Sequence, residues 1–331
     1  VFTVADPSSP TGRRVKLSET AMPVSYYDQA ISHTAWDQVD GFSTSGGIMV
    51  HLPGSTSAGL PTVLDIGASL DPNSPTVVLD AQTGQRVAHF AELDASASDP
   101  TRATLFIRPA QALEYNRRYI VALRGVQDES GEPIAASDAF AAHRDGQAMP
   151  DEPSVDDRRP LYSDIFARLS QAGVERSDLQ LAWDFTTHSR EDVTSELVHM
   201  RDESFSMLGE ASPNYEITSV EEDFDPRVAY KILGTFEVPL YLDVPGPYSK
   251  MQYGPDGLPE PNGVADFEFE LLIPASATAE QPAKLLQFGH GLLQLPDEIE
   301  GEHHLDFMNQ YNYAMFSSVW LSSSTASRVT F

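Results

Sequence analysis

The sequence predicts a mixed fold. A β-rich N-terminal sandwich with helical insertions occupies 1–210, and an incomplete α/β sheet of order β-β-β-α-β occupies 211–331. Three observations carry this. The first half is a series of short apolar runs cut by turn residues, the pattern of a sandwich rather than of βαβ units. Beyond residue 228, two stretches alternate apolar and polar residues with the period of a half-buried strand. After them, two continuous apolar runs flank a helix-like segment, as parallel strands joined by a helical crossover would.

The elements follow in order. "PTVVLDAQTGQRV" (75–87) places two apolar stretches around Gln82-Thr83-Gly84 and predicts a hairpin. "ATLFIRPAQAL" (103–113) is a strand stopped by Pro109, "RRYIVALRGV" (117–126) is another, and "QDESGEP" supplies the turn after it. "RPLYSDIFARLSQAG" predicts a helix with Pro160 in its first turn, Leu161, Ile165, Phe166 and Leu169 on one side, and a stop at Gly173. The strand "LQLAWDFTT" (179–187) leads to a second helix, "SREDVTSELVHMRDESFSMLG". There Ser189 and Asp192 form a capping box, and Val193, Leu197, Met200, Ser204 and Leu208 share one face.

In the second half, "KILGTFEVPLYLDV" (231–244) and "ADFEFELLIP" alternate as two antiparallel strands joined by a Pro/Gly-rich loop. "AKLLQFGHG" reads as a strand buried on both faces, "LPDEIEGEHHLDFMNQ" as a helix, and "YNYAMFSSVWL" as a further buried strand. The last pair is expected to be parallel, because the crossover is helical.

Composition narrows the function classes. The chain has 331 residues, 41% hydrophobic and 21% charged, as a globular protein of two domains would. With 49 acidic residues against 21 basic ones, the net charge is −28, which disfavours nucleic acid as a partner. No apolar run approaches the roughly 20 residues that span a bilayer, so an integral membrane protein is not expected. Zero cysteines exclude disulfides, thiolate metal sites and a cysteine nucleophile. "VFTVADPSSP" lacks the basic and apolar regions of a signal peptide, which is expected to be absent or already removed.

The order of the second half resembles the opening of an α/β-hydrolase domain, in which the third strand ends in a His-Gly motif. In lipases and esterases of that fold the N–H after this motif donates to the tetrahedral oxyanion. The resemblance implies His290 and Gly291 as the oxyanion turn, with Leu292 as backbone donor. A pre-aimed N–H in a dry site can contribute about 3–4 kcal/mol to the transition state. "VDGFSTSGGIMV" (39–50) resembles a segment of bacterial extracellular lipases of the virulence-factor type. "LFIRPAQALEYNRRYIVALRGVQDESGEPI" and "LAWDFTT" are similar to a bacterial Ig-like domain. Together these resemblances span most of 36–188 and 230–321, and they imply a secreted or cell-surface location and an ester or lipid substrate.

The chain departs from that pattern at three points. No Gly-x-Ser-x-Gly elbow occurs, and "GFSTSGG" lacks the strand-turn-helix context of one. In the family, all three triad members follow the oxyanion loop, so they are expected beyond residue 331. Gln294 stands where relatives often have glycine, and "WLSSSTAS" replaces an Asp-aromatic-x-Gly text.

Other chemistry-bearing residues read more plainly. Glu298, Glu302, His303 and Asp306 could share a helix face and hold a metal, but their spacing fits no ligand motif and a solvated acidic face explains them. "DPNSPTVVLD" and "GPDGLPEPNGVAD" offer oxygen ligands for calcium without EF-hand spacing, and read as turns. No cofactor is expected. Ser43 and Ser45 near His51 lack an elbow and an orienting acid, and read as turn residues. Trp36, Trp183 and Trp320 read as packing residues.

Two functions follow. One is the N-terminal portion of a secreted serine hydrolase whose Ig-like part positions the catalytic part or helps bind substrate. Its remaining C-terminal polypeptide, or another chain, would cover an apolar sheet edge at 313–321. The other is a non-catalytic Ig-like surface or assembly protein that retains half a hydrolase scaffold and uses an open sheet edge for β-augmentation.

Overall fold

The computed structural model describes residues 2–34, 36–99, 102–245, 249–291 and 294–319. It is a mixed, sheet-rich fold that separates into two compact units, Val1–Thr194 and Ser195–Phe331. The division falls ahead of the expected boundary at 210/211.

In the first unit, β1 (Thr3–Ala5) and β2 (Arg13–Val15) form a short antiparallel arm. Then come β3 (Ile48–Val50), β4 (Thr76–Asp80), β5 (His89–Leu93), β6 (Leu105–Pro109) and β7 (Arg118–Arg124). Helices α1 (Asp138–Asp145), α2 (Ser154–Asp157) and α3 (Arg159–Gln171) precede β8 (Leu179–Thr186). The strands make two antiparallel sheets, β3-β6-β5 and β4-β7-β8.

Strand periodicity explains how these sheets pack. Tyr119, Val121 and Leu123 of β7 point with Val78 into a core shared with Ala91, Leu105 and Ile107 of the other sheet. The intervening Ile120 and Ala122 point the other way, onto Phe140 of α1 and Ile165, Phe166 and Leu169 of α3. The β4-β7-β8 sheet is thus covered on both faces, which is why β7 is apolar at consecutive positions.

The hairpin expected at 75–87 is only a brief one. Gly84 turns the chain at φ 71°, and Val87 N–H reaches the Val78 carbonyl. The chain then leaves for the other sheet, and β4 takes its full ladder from β7. The sequence pattern also passes over α1, which Ser137 caps through its Oγ to the Phe140 N–H and Gly146 ends at φ 73°.

Helix α4 (Arg190–Leu208) starts as its capping residue predicts, with the Asp192 N–H donating to Ser189 Oγ at 3.0 Å. The reciprocal half differs. The Ser189 N–H donates to Asp40, and the Asp192 carboxylate accepts from the Asp40 N–H. The expected apolar stripe is not buried: Leu197 is 67% exposed, and no residue of the helix is fully buried. Ser204, which interrupts the stripe, shares a hydrogen bond with the Tyr241 hydroxyl.

The second unit holds one sheet of β9 (Tyr215–Asp225), β10 (Val228–Pro239), β11 (Val264–Pro274), β12 (Lys284–Phe288) and β13 (Tyr313–Ser318), with α5 (Glu302–Tyr311) before the last strand. The spatial order is β12-β13-β11-β10-β9. As expected, β10 and β11 are antiparallel, and β12 and β13 are parallel across the helical connection. The sequence reading has no counterpart of β9.

Two expectations are corrected here. The apolar strand near 313–321 is no sheet edge over Tyr313–Ser318, because β13 lies between β11 and β12 and pairs with both. Residues 320 and 321, including Trp320, lie outside the described residues. The edges are β9 and β12, and β12 is not buried on both faces: its Leu285 is 79% exposed. One face of the sheet packs Leu272, Met315, Leu286 and Phe288 under Ile299, Leu305 and Met308. The other carries Phe236, Phe267, Phe269 and Phe316 as a cluster of half-buried rings.

Candidate functional site

Strand β12 ends at Phe288, opposite Ser317 of β13, and the chain turns at once through Gly289, His290 and Gly291. The turn therefore lies at the carboxyl end of a parallel strand pair, where open α/β sheets bind ligands.

His290 is buried, and its Nδ1 lies 3.0 Å from the Gly291 carbonyl oxygen. A carbonyl only accepts, so Nδ1 carries the proton in this bond. The same carbonyl accepts from the Gln294 N–H at 3.1 Å. The Gly291 N–H donates to Gln294 Oε1 at 3.0 Å and to Glu298 Oε2 at 3.1 Å. A Cβ at position 291 would stand 2.2 Å from Gln294 Oε1, so glycine is what admits that side chain. Gln294, which departs from the lipase-like pattern expected of the sequence, thus braces the backbone at Gly291. Leu292, the expected backbone donor, lies outside the described residues.

Glu298 belongs to a 3₁₀ turn over Pro296–Glu300 that roofs this end of the sheet. Its backbone carbonyl accepts from His304 Nδ1 at 2.9 Å, and the His304 ring meets Phe288 edge-on at 4.6 Å. Glu300, two residues on, pairs with Lys231 of β10. Lys231 also lies 3.7 Å from Glu270 of β11, a carboxyl only 4% exposed. Burial first, and then the neighbouring Glu300 and Asp297, push the Glu270 carboxyl up to about 7, and the Lys231 ammonium opposes that rise. The Ser317 hydroxyl, in register with Glu270, is buried without a hydrogen-bond partner.

The sequence reading missed Glu270, Lys231 and Glu300. A signal was present: in "ADFEFELLIP" Glu270 falls on the same face as the core residue Leu272, an inward place for a carboxylate.

The other candidates resolve into structural roles. Glu302 and Asp306 both bind the Arg227 guanidinium, and Asp225 binds it from β9. His303 stacks beside His304. Around "DPNSP", Asp71 Oδ1 accepts from the Asn73 N–H, while Arg86 and Arg124 donate to the Asp71, Pro72 and Ser74 carbonyls that calcium would need. Among the described residues, no group of three His, Asp or Glu is placed to hold a metal. Ser43 Oγ accepts from the Ser45 N–H inside its own turn, and His51 is exposed.

The segment at 39–50 has a structural explanation in its first residues. Phe42 bridges in parallel to Thr187, exchanging hydrogen bonds with Thr186 and His188. A Cβ at Gly41 would stand 2.4 Å from the His188 nitrogen, so only glycine permits this approach.

No family model, curated protein or solved structure matches this chain. Among the described residues, no helix is long and apolar enough to cross a membrane.

Proposed function

We propose that this chain supplies the oxyanion turn of a secreted or surface-displayed serine hydrolase acting on lipid or other esters. The observation that carries this reading is the Gly291 N–H, aimed from the end of β12 and already bonded to a carboxylate oxygen of Glu298. A donor that holds an anionic oxygen of this kind has the chemistry needed to hold the oxygen of a tetrahedral intermediate. The element order around the turn, two antiparallel strands followed by a parallel pair across a helix, supports the same reading. With no Gly-x-Ser-x-Gly elbow in the sequence, the nucleophile and its partners belong to polypeptide outside these residues.

The test is fluorophosphonate labelling of the native particle containing this chain. A serine labelled there, with the labelling rate altered by Gln294→Ala, supports the proposal. A native particle that never labels overturns it.

A specific observation favours a second, non-catalytic reading. The outer edge of β12 pairs with no described strand and exposes Leu285, as strand addition by a partner would require. Ordered self-association without labelling would select this reading.

A further inference from the structure

The first unit contains a cleft of about 400 Å³ lined by residues of α1, α2, α3 and their flanking segments. That volume lies at the small end of the roughly 300–1,000 Å³ typical of ligand pockets. Its lining is divided in chemistry. Phe140, Val155, Tyr162 and Leu181 give it apolar walls, and His143 and Arg158 bring nitrogen donors.

Two of these groups have unmet hydrogen-bonding capacity. The His143 side chain is 6% exposed and its ring stacks on Tyr162 at 3.9 Å. Its Nδ1 is sealed from water with no partner, so Nε2 is the nitrogen this ring can offer to the cleft. Burial, together with the Arg158 and Arg159 charges, holds the imidazole below its ordinary pKa, leaving it neutral at pH 7. The half-buried Arg158 guanidinium makes no ion pair or hydrogen bond with any described residue. Asp156, two residues before it in the chain, pairs with Arg159. In a chain with 49 acidic residues to 21 basic ones, an arginine left unpaired in a cleft, with no ion pair even to the Glu152 that also lines it, stands out.

We propose that this cleft binds a small carboxylate with a flat apolar body. Its head group pairs with Arg158 and accepts from His143 Nε2–H, and its body lies against Phe140, Val155 and Leu181. An arginine fork matches a carboxylate bidentately, and the apolar walls exclude water from that pair. Glu152 also lines the cleft; its Oε1 accepts from the Ser154 hydroxyl at 2.6 Å, and its exposed position leaves its charge screened by solvent. The size and the apolar walls argue against a bare inorganic ion as the preferred occupant.

Benzoate is a suitable probe, with benzamide as its neutral counterpart and inorganic phosphate as the bare anion. Titration of each into the full chain is followed through the His143 ring resonances by NMR. Saturable shifts with benzoate are expected, along with a rise in the His143 pKa on binding, because a nearby anion favours imidazolium. Arg158→Gln should weaken benzoate by at least about tenfold, the loss expected for a charge-assisted hydrogen-bonded pair. Arg159→Gln, whose partner is Asp156, serves as the charge-matched control and should change affinity far less. Absence of saturation, equal binding of benzamide, tighter binding of phosphate, or equal losses in the two variants would each overturn the proposal. Circular dichroism of both variants confirms that folding is retained.

Discussion

Glu270→Gln tests the electrostatics of the Lys231–Glu270–Glu300 group. The carboxyl is almost fully buried, faces Glu300, and has its pKa raised from 4.5 to about 7. At about 1.36 kcal/mol per unit, this corresponds to roughly 3 kcal/mol of differential stability. The sign follows from which state holds the proton. Between these two values the folded protein keeps its Glu270 proton while the unfolded chain loses it, so stability falls as pH rises. The loss is complete above about pH 7, where both states are ionised and the folded one carries a buried charge against Glu300 and Asp297. Glutamine has the same shape and cannot ionise. The variant should therefore gain on the wild type by up to about 3 kcal/mol between about pH 4.5 and pH 8. With a urea m-value of about 1–3 kcal/mol per molar, the midpoint difference should reach on the order of 1 M. Hydrogen exchange of β11 and β10 amides at the same pH values localises the effect to this sheet. Wild-type and variant profiles that run parallel across the whole range would refute the reasoning.

Two substitutions in the first unit probe the junction at residues 40–42 and 187–192. Gly41→Ala drives a Cβ into backbone atoms of Thr187 and His188 at 2.4–2.7 Å, where no side chain can swing aside. It should cost at least about 2–3 kcal/mol and lower the thermal midpoint; an unchanged midpoint would contradict the close approach. Ser189→Ala removes the acceptor for the Asp192 N–H and should cost about 1 kcal/mol, read as faster amide exchange confined to the first turn of α4. Unchanged exchange there would mean that Asp40 alone caps the helix.

What was legible in the sequence is what local periodicity encodes. Alternation at Phe267, Phe269 and Leu271 marks β11 because these residues share the face that carries the ring cluster, while Glu270 and Leu272 point to the other face, under the helix. The apolar run of β7 marks a strand covered on both sides, by a sheet and by helices. The run of β12 reads the same way but belongs to an edge strand. Continuous hydrophobicity reports a lack of polar residues, whereas lateral position is decided by where β13 inserts, a long-range event. Helix α1 is harder to read because it is only 8 residues long, held by Phe140 packing and by Ser137 and Gly146 at its ends. Strand β9 escaped because it is an exposed edge, and a register shift opposite Leu233 and Gly234 breaks its alternation. At the site, His290 and Gly291 stand out in the sequence as a glycine-flanked stop. The Lys231–Glu270–Glu300 group does not, because its members come from three separated elements and acquire meaning only through contact.

That contact bears on how the turn could work. The Gly291 N–H is not idle: Gln294 and Glu298 both accept from it, so a substrate oxygen must displace them. A carboxylate is a strong competitor for an N–H donor, and the charge on an oxyanion would be opposed by Glu298 if that side chain stayed. Holding an oxyanion there, as proposed, therefore requires Glu298 to rotate away. The 3₁₀ turn that carries Glu298 is tied down at its end by the Glu300–Lys231 pair and along its backbone by His304. Ionisation of Glu270 adds a like charge beside Glu300 and loosens that tie, whereas protonation keeps it. The buried carboxyl and the turn amide are thus two ends of one short segment, and the pH dependence measured at Glu270 should be visible as a change in amide exchange at Gly291.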